Sequence, residues 1–262
     1  MAHENGEAVS NTIVRQLGLF VAETDHRSMS DEAREELKKR ILDTIGVAIG
    51  ALEGEPIKMI RTHQEDFGGT GHCTLIGGGK ISPDRAAFYN GALSRYLDFM
   101  DSYLAKGETC HQSDNFGAVM AAAEYADASG NDFLTAMAAA YQVQGRLCDE
   151  APVRAKGFDH TVQGAYASAA GVSRALGLDA EKTANAIAIS GTSNNALRCT
   201  RTGALSHWKG LAYPNTAFVG THAAFLAYRG ITGPEEVFEG NKGFKDSIAG
   251  DFSIDWAKED LE

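Results

Sequence analysis

Apolar residues fall at helical rather than alternating spacing along most of the 262 residues. From Asp31 onward, Leu37, Ile41, Ile45, Ile49 and Leu52 recur on a four-residue beat that predicts one buried helix stripe. Ser30 is its expected N-cap, and Asp31 and Glu32 suit the positive helix end; the helix should stop near Gly54, with Pro56 just beyond. An earlier helix is predicted over 12–23. The stretch GGTGHCTLIGGG, 68–79, has only a short apolar centre and reads as an extended piece between turns. A phosphate loop would need GxxxxGK[ST], and here Gly79-Lys80 is followed by Ile81. Further helices are predicted after Pro83-Asp84, Asn115, Asn131, His160 and Asp179, and over 216–229; the tail from Gly240 reads as turns with a short strand.

The predicted helices are dense in Ala and Gly, which allows close helix-to-helix approach. No βαβ alternation is visible. These features predict an all-α, compact multi-helix bundle forming a single domain over 1–262. Hydrophobic content of 44% and charged content of 23% are ordinary for a globular protein. The net charge of −11 argues against a nucleic-acid or anionic-membrane partner, since both need clustered Lys and Arg. No window approaches the roughly eighteen apolar residues of a membrane span, and the polar start MAHENGEAVSNT lacks a signal-peptide core. Four cysteines without a CxxC pair form neither a zinc pattern nor a disulfide framework, and a reducing cytoplasm is the expected compartment. No metal-binding spacing such as HExxH appears, so no metal is expected.

Candidate chemistry concentrates in LDFMDSY, 97–103, followed by His111. On a helix, Asp98 and Asp101 would face nearly the same way, and two neighbouring carboxylates raise one another's pKa, which can make an acid and a base of one residue type. The alternative is a helix end whose solvated acids lead into a polar loop. His160 sits at a helix start, where the positive helix end favours a neutral imidazole; a capping or exposed histidine is the plainer reading. The loop TRTGALSHWKG, 200–210, gathers Arg201, His207, Trp208 and Lys209, a potential carboxylate or phosphate clamp or else an exposed basic loop anchored by Trp208. His3 and His26 are expected in exposed regions, His63 near a helix end, His72 in the glycine loop, and His222 in the core.

Taken together, LDTIGVAIGA (42–51), AAFYNGALSRYLDFMDSY with His111, GFDHT (157–161), LRCTRTGALSHWKG and AAFLAYRGITGPEEVFEGNKGF (223–244) resemble the N-terminal helical portion of the MmgE/PrpD family. That family includes 2-methylcitrate dehydratase, cis-aconitate decarboxylase and iminodisuccinate epimerase. Met100 stands where the family commonly has an acid, and Gln112 where proline is common. The resemblance implies a cofactor-independent lyase acting on a small di- or tricarboxylate, with 2-methylcitrate dehydration favoured. It implies a site of Asp98, Ser102, His111, His160 and Lys209. On this reading His160 or Asp98 is the base and His111 the partner acid; Lys209, with Arg201 nearby, binds carboxylates, Ser102 orients one, and Asp101 supports the site. The resemblance also implies a homodimer, and an α/β lid domain that this chain lacks and that a separate subunit could supply. A catalytically incomplete interaction or assembly module is the alternative from another class, and a family decarboxylase or epimerase the alternative chemistry.

Overall fold

The computed structural model describes residues 12–261; His3 lies outside them. Among the described residues nine α-helices carry the fold: α1 Ile13–Glu23, α2 Asp31–Gly50, α3 Glu55–Phe67, α4 Pro83–Tyr96, α5 Phe116–Tyr125, α6 Gly130–Glu150, α7 Thr161–Ala175, α8 Ala180–Ser193 and α9 Trp208–Tyr228. Two small antiparallel ribbons interrupt them. In one, β1 (Cys73–Thr74) pairs with β2 (Lys80–Ile81), Cys73 opposite Ile81; in the other, β3 (Tyr103–Ala105) pairs with β4 (Glu108–Cys110), Tyr103 opposite Cys110. The all-α expectation holds, and the glycine-rich stretch is the first ribbon rather than a phosphate loop.

Helix α7 is the centre of the bundle. Every residue from Thr161 to Ala175 except Arg174 is buried, and the helix packs against α5, α6, α8 and α9. Its sequence, TVQGAYASAAGVSRA, is mostly Ala, Ser and Gly, so neighbours approach it almost to backbone contact. The same economy joins α4 to α5: a Cβ on Gly117 would stand 2.6 Å from the Gly91 nitrogen and 2.7 Å from the Ala87 carbonyl oxygen. That contact brings the loops after α4 and before α5 together, which is where the polar site forms.

Several boundaries differ from the sequence reading. Ser30 caps α2 as expected, accepting from the Ala33 N–H at 3.1 Å. The stripe is only partly covered, however: Leu37 is buried and Ile41, Ile45 and Leu52 are partly buried against the core, while Ile49 is 55% exposed. Pro56 opens α3 near its N-terminus, a position where its missing N–H costs nothing; the pattern had shown no helix there. Helix α6 is capped by Ser129 in a reciprocal box with Asp132, not by Asn131. Helix α9 begins at Trp208, two turns before Thr216, and runs through the buried Pro214. After Gly240 there is no strand among the described residues, only turns, a π-helical turn at Lys245–Ala249 and a tighter helical turn at Trp256–Lys258. No helix of the described residues is long and apolar enough to cross a membrane.

Candidate active site

Helix α4 stops at Tyr96, so Asp98 and Asp101 do not share a helical face. Leu97 is still helical, and Asp98 then turns left-handed at φ +60°, its N–H reaching the Arg95 carbonyl at 3.2 Å. Glycine or asparagine usually takes that position; a left-handed L-residue costs of order ~1 kcal/mol. The turn sends the two carboxylates apart, so they form no proton-sharing pair. Asp98 Oδ2 accepts from Lys209 Nζ at 3.1 Å, and Oδ1 lies 3.9 Å from the Arg95 guanidinium. Asp101 accepts from the Ser113 N–H at 3.1 Å, the Ser113 hydroxyl at 2.6 Å and the Tyr141 hydroxyl at 2.8 Å, which makes it the anchor of the following turn. Lys209 reaches Asp98 because α9 starts early and puts it in the first helical turn. Burial pushes the Asp98 carboxyl up, but the Lys209 hydrogen bond and the charges of Lys209, Arg95 and His111 outweigh it and hold the group below its ordinary value.

His111 follows β4 and is only partly buried. Its Nδ1 lies 2.6 Å from the Asp101 carbonyl oxygen and 3.3 Å from Ser102 Oγ. A carbonyl can only accept, so Nδ1 carries a hydrogen and donates it there, and Nε2 is the ring nitrogen left for other partners. The His160 ring stands edge-on to His111, centroids 5.5 Å apart, and stacks 6.1 Å from Tyr213. His160 is buried at the start of α7. Its Nδ1 is 3.2 Å from Asp159 Oδ1; its Nε2, 3.8 Å from Asp114 Oδ2, has no hydrogen-bond partner. Burial is the largest effect on this imidazole and lowers its pKa; Asp114 and Asp159 oppose that without reversing it, leaving the ring neutral at neutral pH. The sequence had attributed a neutral His160 to the helix end, whereas desolvation is the main cause.

Behind these groups is a layer that sequence reasoning missed. Arg95 Nη1 pairs with Asp114 Oδ2 at 3.1 Å, both side chains 2% exposed. Asp159 accepts from Arg201 Nε at 2.5 Å, from the Thr161 N–H at 3.2 Å and from the Thr200 hydroxyl at 3.4 Å. Arg201 therefore turns toward Asp159 and Lys209 toward Asp98, and the two cations form no joint clamp. The Tyr213 hydroxyl donates within an Asn115–Gln144 network at 3.0 and 3.1 Å. Asp114 was visible as an acid immediately before an apolar helix; nothing local linked it to Arg95.

A cleft of about 180 Å³ opens over this layer, lined by Arg95, Tyr96, Asp98, His207 and Lys209. Ser102 and Asp101 face a neighbouring one of about 290 Å³ with Arg40, Gln112 and Tyr141. Trp208 is 45% exposed, so it is no packing anchor. His222 is exposed rather than in the core, and His63 lies within α3. Cys110, beside His111, is buried.

The ends of α4, α7 and α9 and the loops beside them thus carry two imidazoles, a carboxylate–ammonium pair and a hydroxyl, groups that can accept, donate and hold protons. The chain belongs to the MmgE/PrpD family: the model of the MmgE/PrpD N-terminal domain matches residues 15–257. It is 33% identical over 190 residues to the 2-methylcitrate dehydratase of Escherichia coli K12, covering 64% of this chain and 38% of that one. It is 30% identical over 217 residues to the mitochondrial 2-methylcitrate dehydratase of Yarrowia lipolytica, covering 76% and 40%. The human cis-aconitate decarboxylase is 30% identical over 227 residues, covering 82% and 46%. The chain thus spans less than half the length of these curated relatives.

Proposed function

We propose that this chain provides the acid–base floor of a lyase that eliminates water from a 2-methylcitrate-like hydroxy-tricarboxylate. The observation that carries the reading is the convergence of the Asp98–Lys209 pair and the His111–His160 pair, drawn from four separate segments, on one polar site. The names of the dehydratase relatives support the substrate class.

Dehydration breaks a C–H bond beside a carboxylate and a neighbouring C–O bond. The proton goes to a base, the hydroxide leaves and is protonated to water, and the carbons keep the electron pair as an alkene. Asp98 is held below its ordinary value by Lys209 and Arg95, which makes it a weak base, so it serves to hold the Lys209 ammonium in place rather than to take the substrate proton. The base then comes from the imidazoles: His111, partly exposed and with Nδ1 committed to a backbone carbonyl, meets the substrate through Nε2, and His160 stands behind it. Lys209 holds a substrate carboxylate or protonates the departing hydroxyl, and Ser102 orients a second carboxylate. Asp98 and Lys209 are 56% and 35% exposed. A cover that excludes water, from another domain or a partner subunit, belongs to this reading, because such charges act far more strongly when desolvated.

The test is proton NMR of this chain together with the domain or subunit that covers it, with 2-methylcitrate, citrate and cis-aconitate in D2O. Alkene formation from 2-methylcitrate, or exchange of the proton beside its carboxylate, is expected, with losses of about a hundredfold or more in His111→Ala and Lys209→Ala. Neither alkene nor exchange from any of these acids would overturn the proposal. Decarboxylation is the second reading, favoured by the wider coverage of this chain in the match to the decarboxylase; loss of carbon dioxide from cis-aconitate in the same tubes would select it.

A further inference from the structure

The buried layer contains a charge arrangement that the proposed chemistry does not by itself require. Arg95 is 2% exposed, yet its guanidinium faces two carboxylates: Asp114 at 3.1 Å in the floor and Asp98 at 3.9 Å at the mouth. Asp114 in turn faces His160 Nε2 at 3.8 Å, too long for a hydrogen bond but close enough to become a contact ion pair once that nitrogen is protonated. One cation therefore stands between the two proton-handling ends of the site.

We propose that Arg95 and Asp114 are positioning residues that jointly set the charge of His160, with Arg95 competing against the imidazole for the Asp114 carboxylate. Asp114 invites a proton onto Nε2; Arg95 holds Asp114 and keeps that proton off until the reaction supplies one. The same guanidinium faces Asp98, so the mouth and the floor share a counter-ion. The inference deepens the reading above and rests on it for its meaning in turnover.

The groups facing His160 from each packed element are consistent with this balance. Asp159 precedes it in the chain; Arg201 comes from the turn after α8, and Asp114 from the turn before α5. Arg95 is on α4, His111 follows β4, and Tyr213 is on α9. Asp114 is paired with Arg95, and Asp159 with Arg201 at 2.5 Å and, further off, with Arg198 at 3.8 Å, so each buried carboxylate has its guanidinium and the imidazole is the group whose charge is left to be decided.

Side-chain NMR of protein carrying isotopically labelled histidine tests the proposal without any need for turnover. The His160 signals are assigned by their loss in His160→Gln. Arg95→Met should raise the His160 titration midpoint, because Asp114 is released to the imidazole. Asp114→Asn should lower it, and Arg95→Lys should restore it most of the way from Arg95→Met toward wild type. In Arg95→Met the Asp98 carboxyl, followed by carbon-13, should titrate higher. If Arg95→Met fails to fold with Asp114 unpaired, the double variant Arg95→Met/Asp114→Asn removes both charges together, and its midpoint should lie above that of Asp114→Asn. A structural role alone would move the two single variants the same way or not at all, and either result overturns the proposal. If the shifts have opposite signs but no acid in the panel reacts, the dehydratase reading fails while the charge balance stands.

Discussion

Replacing Gly117 by alanine tests how the loops of the site are brought together. The new Cβ would stand 2.6 Å from the Gly91 nitrogen, 2.7 Å from the Ala87 carbonyl oxygen and 3.1 Å from the Gly91 Cα. All three are backbone atoms of α4, so no side chain can rotate away. Ordinary contact begins near 3.4 Å, so the helices must part locally by about 0.8 Å. Overpacking of this kind costs about 1–3 kcal/mol. Alanine returns roughly 1 kcal/mol through helix propensity, and separated helices forfeit part of their dispersion contact. The expected net loss is about 1–3 kcal/mol, a sizeable part of the roughly 5–15 kcal/mol that holds a typical domain. Separation would also draw Arg95, near the end of α4, away from Asp114, just ahead of α5. Urea unfolding of Gly117→Ala should be run beside Gly46→Ala, whose Cβ would meet nothing within 4 Å; that control should be neutral or stabilised by up to about 1 kcal/mol. Equal stability of Gly117→Ala and wild type would refute the close approach of α4 and α5.

Three further outcomes follow from particular contacts. His160 is held below its ordinary value of 6.5 in the folded chain, so unfolding takes up a proton there as the pH falls below that value. Its contribution is complete above the unfolded pKa and is lost toward acid: stability by urea unfolding should drop between about pH 7.5 and pH 5, with a shallower drop in His160→Gln, and an unchanged slope in the variant would contradict the assignment. Ser129→Ala removes the reciprocal cap of α6 and should cost about 1 kcal/mol, while Asn131→Ala should cost little; the reverse order in thermal unfolding would restore Asn131 as the cap. Finally, Leu42 and Ile49 on α2 and Met59 on α3 are exposed apolar side chains that fit the expected homodimer. Sedimentation should give a dimer that Leu42→Glu/Ile49→Glu makes monomeric, and a wild-type monomer would remove that expectation.

Most of the helices were legible because their signals are local. Ser30 and Asp179 cap α2 and α8 as their side-chain chemistry predicts, each accepting from a backbone N–H three residues on. Misreadings occurred where two local signals competed. Pro56 reads as the stop of one helix but is the start of the next, since the same missing N–H suits both positions. Pro214 hid the first turns of α9, because a proline inside a helix normally marks a boundary and here is buried in the bundle. The apolar beat of α2 located the helix correctly but not its covered face, which is decided by what α4 and α6 present to it.

Single candidate residues were legible, Arg201 and the buried His160 among them, but their pairings were not. Asp98 and Lys209 lie 111 positions apart, and their pairing depends on the left-handed turn at Asp98 and the early start of α9, neither of which spacing encodes. The buried layer was less visible still, because charges inside a core usually announce themselves only through their partners. Arg95 has the position of an ordinary helix-terminal cation suited to the dipole, and Asp114 that of a turn residue, so position alone singles out neither. Their partners explain why such costly groups are tolerated in an alanine-rich interior: each buried carboxylate has its guanidinium, Asp114 with Arg95 and Asp159 with Arg201. Removing Arg95 or Arg201 would leave a buried carboxylate without its close counter-charge, which is costly. With those charges cancelled, the neutral His160 between them is the group free to accept a proton, and this balance gives a fully buried imidazole a chemical role.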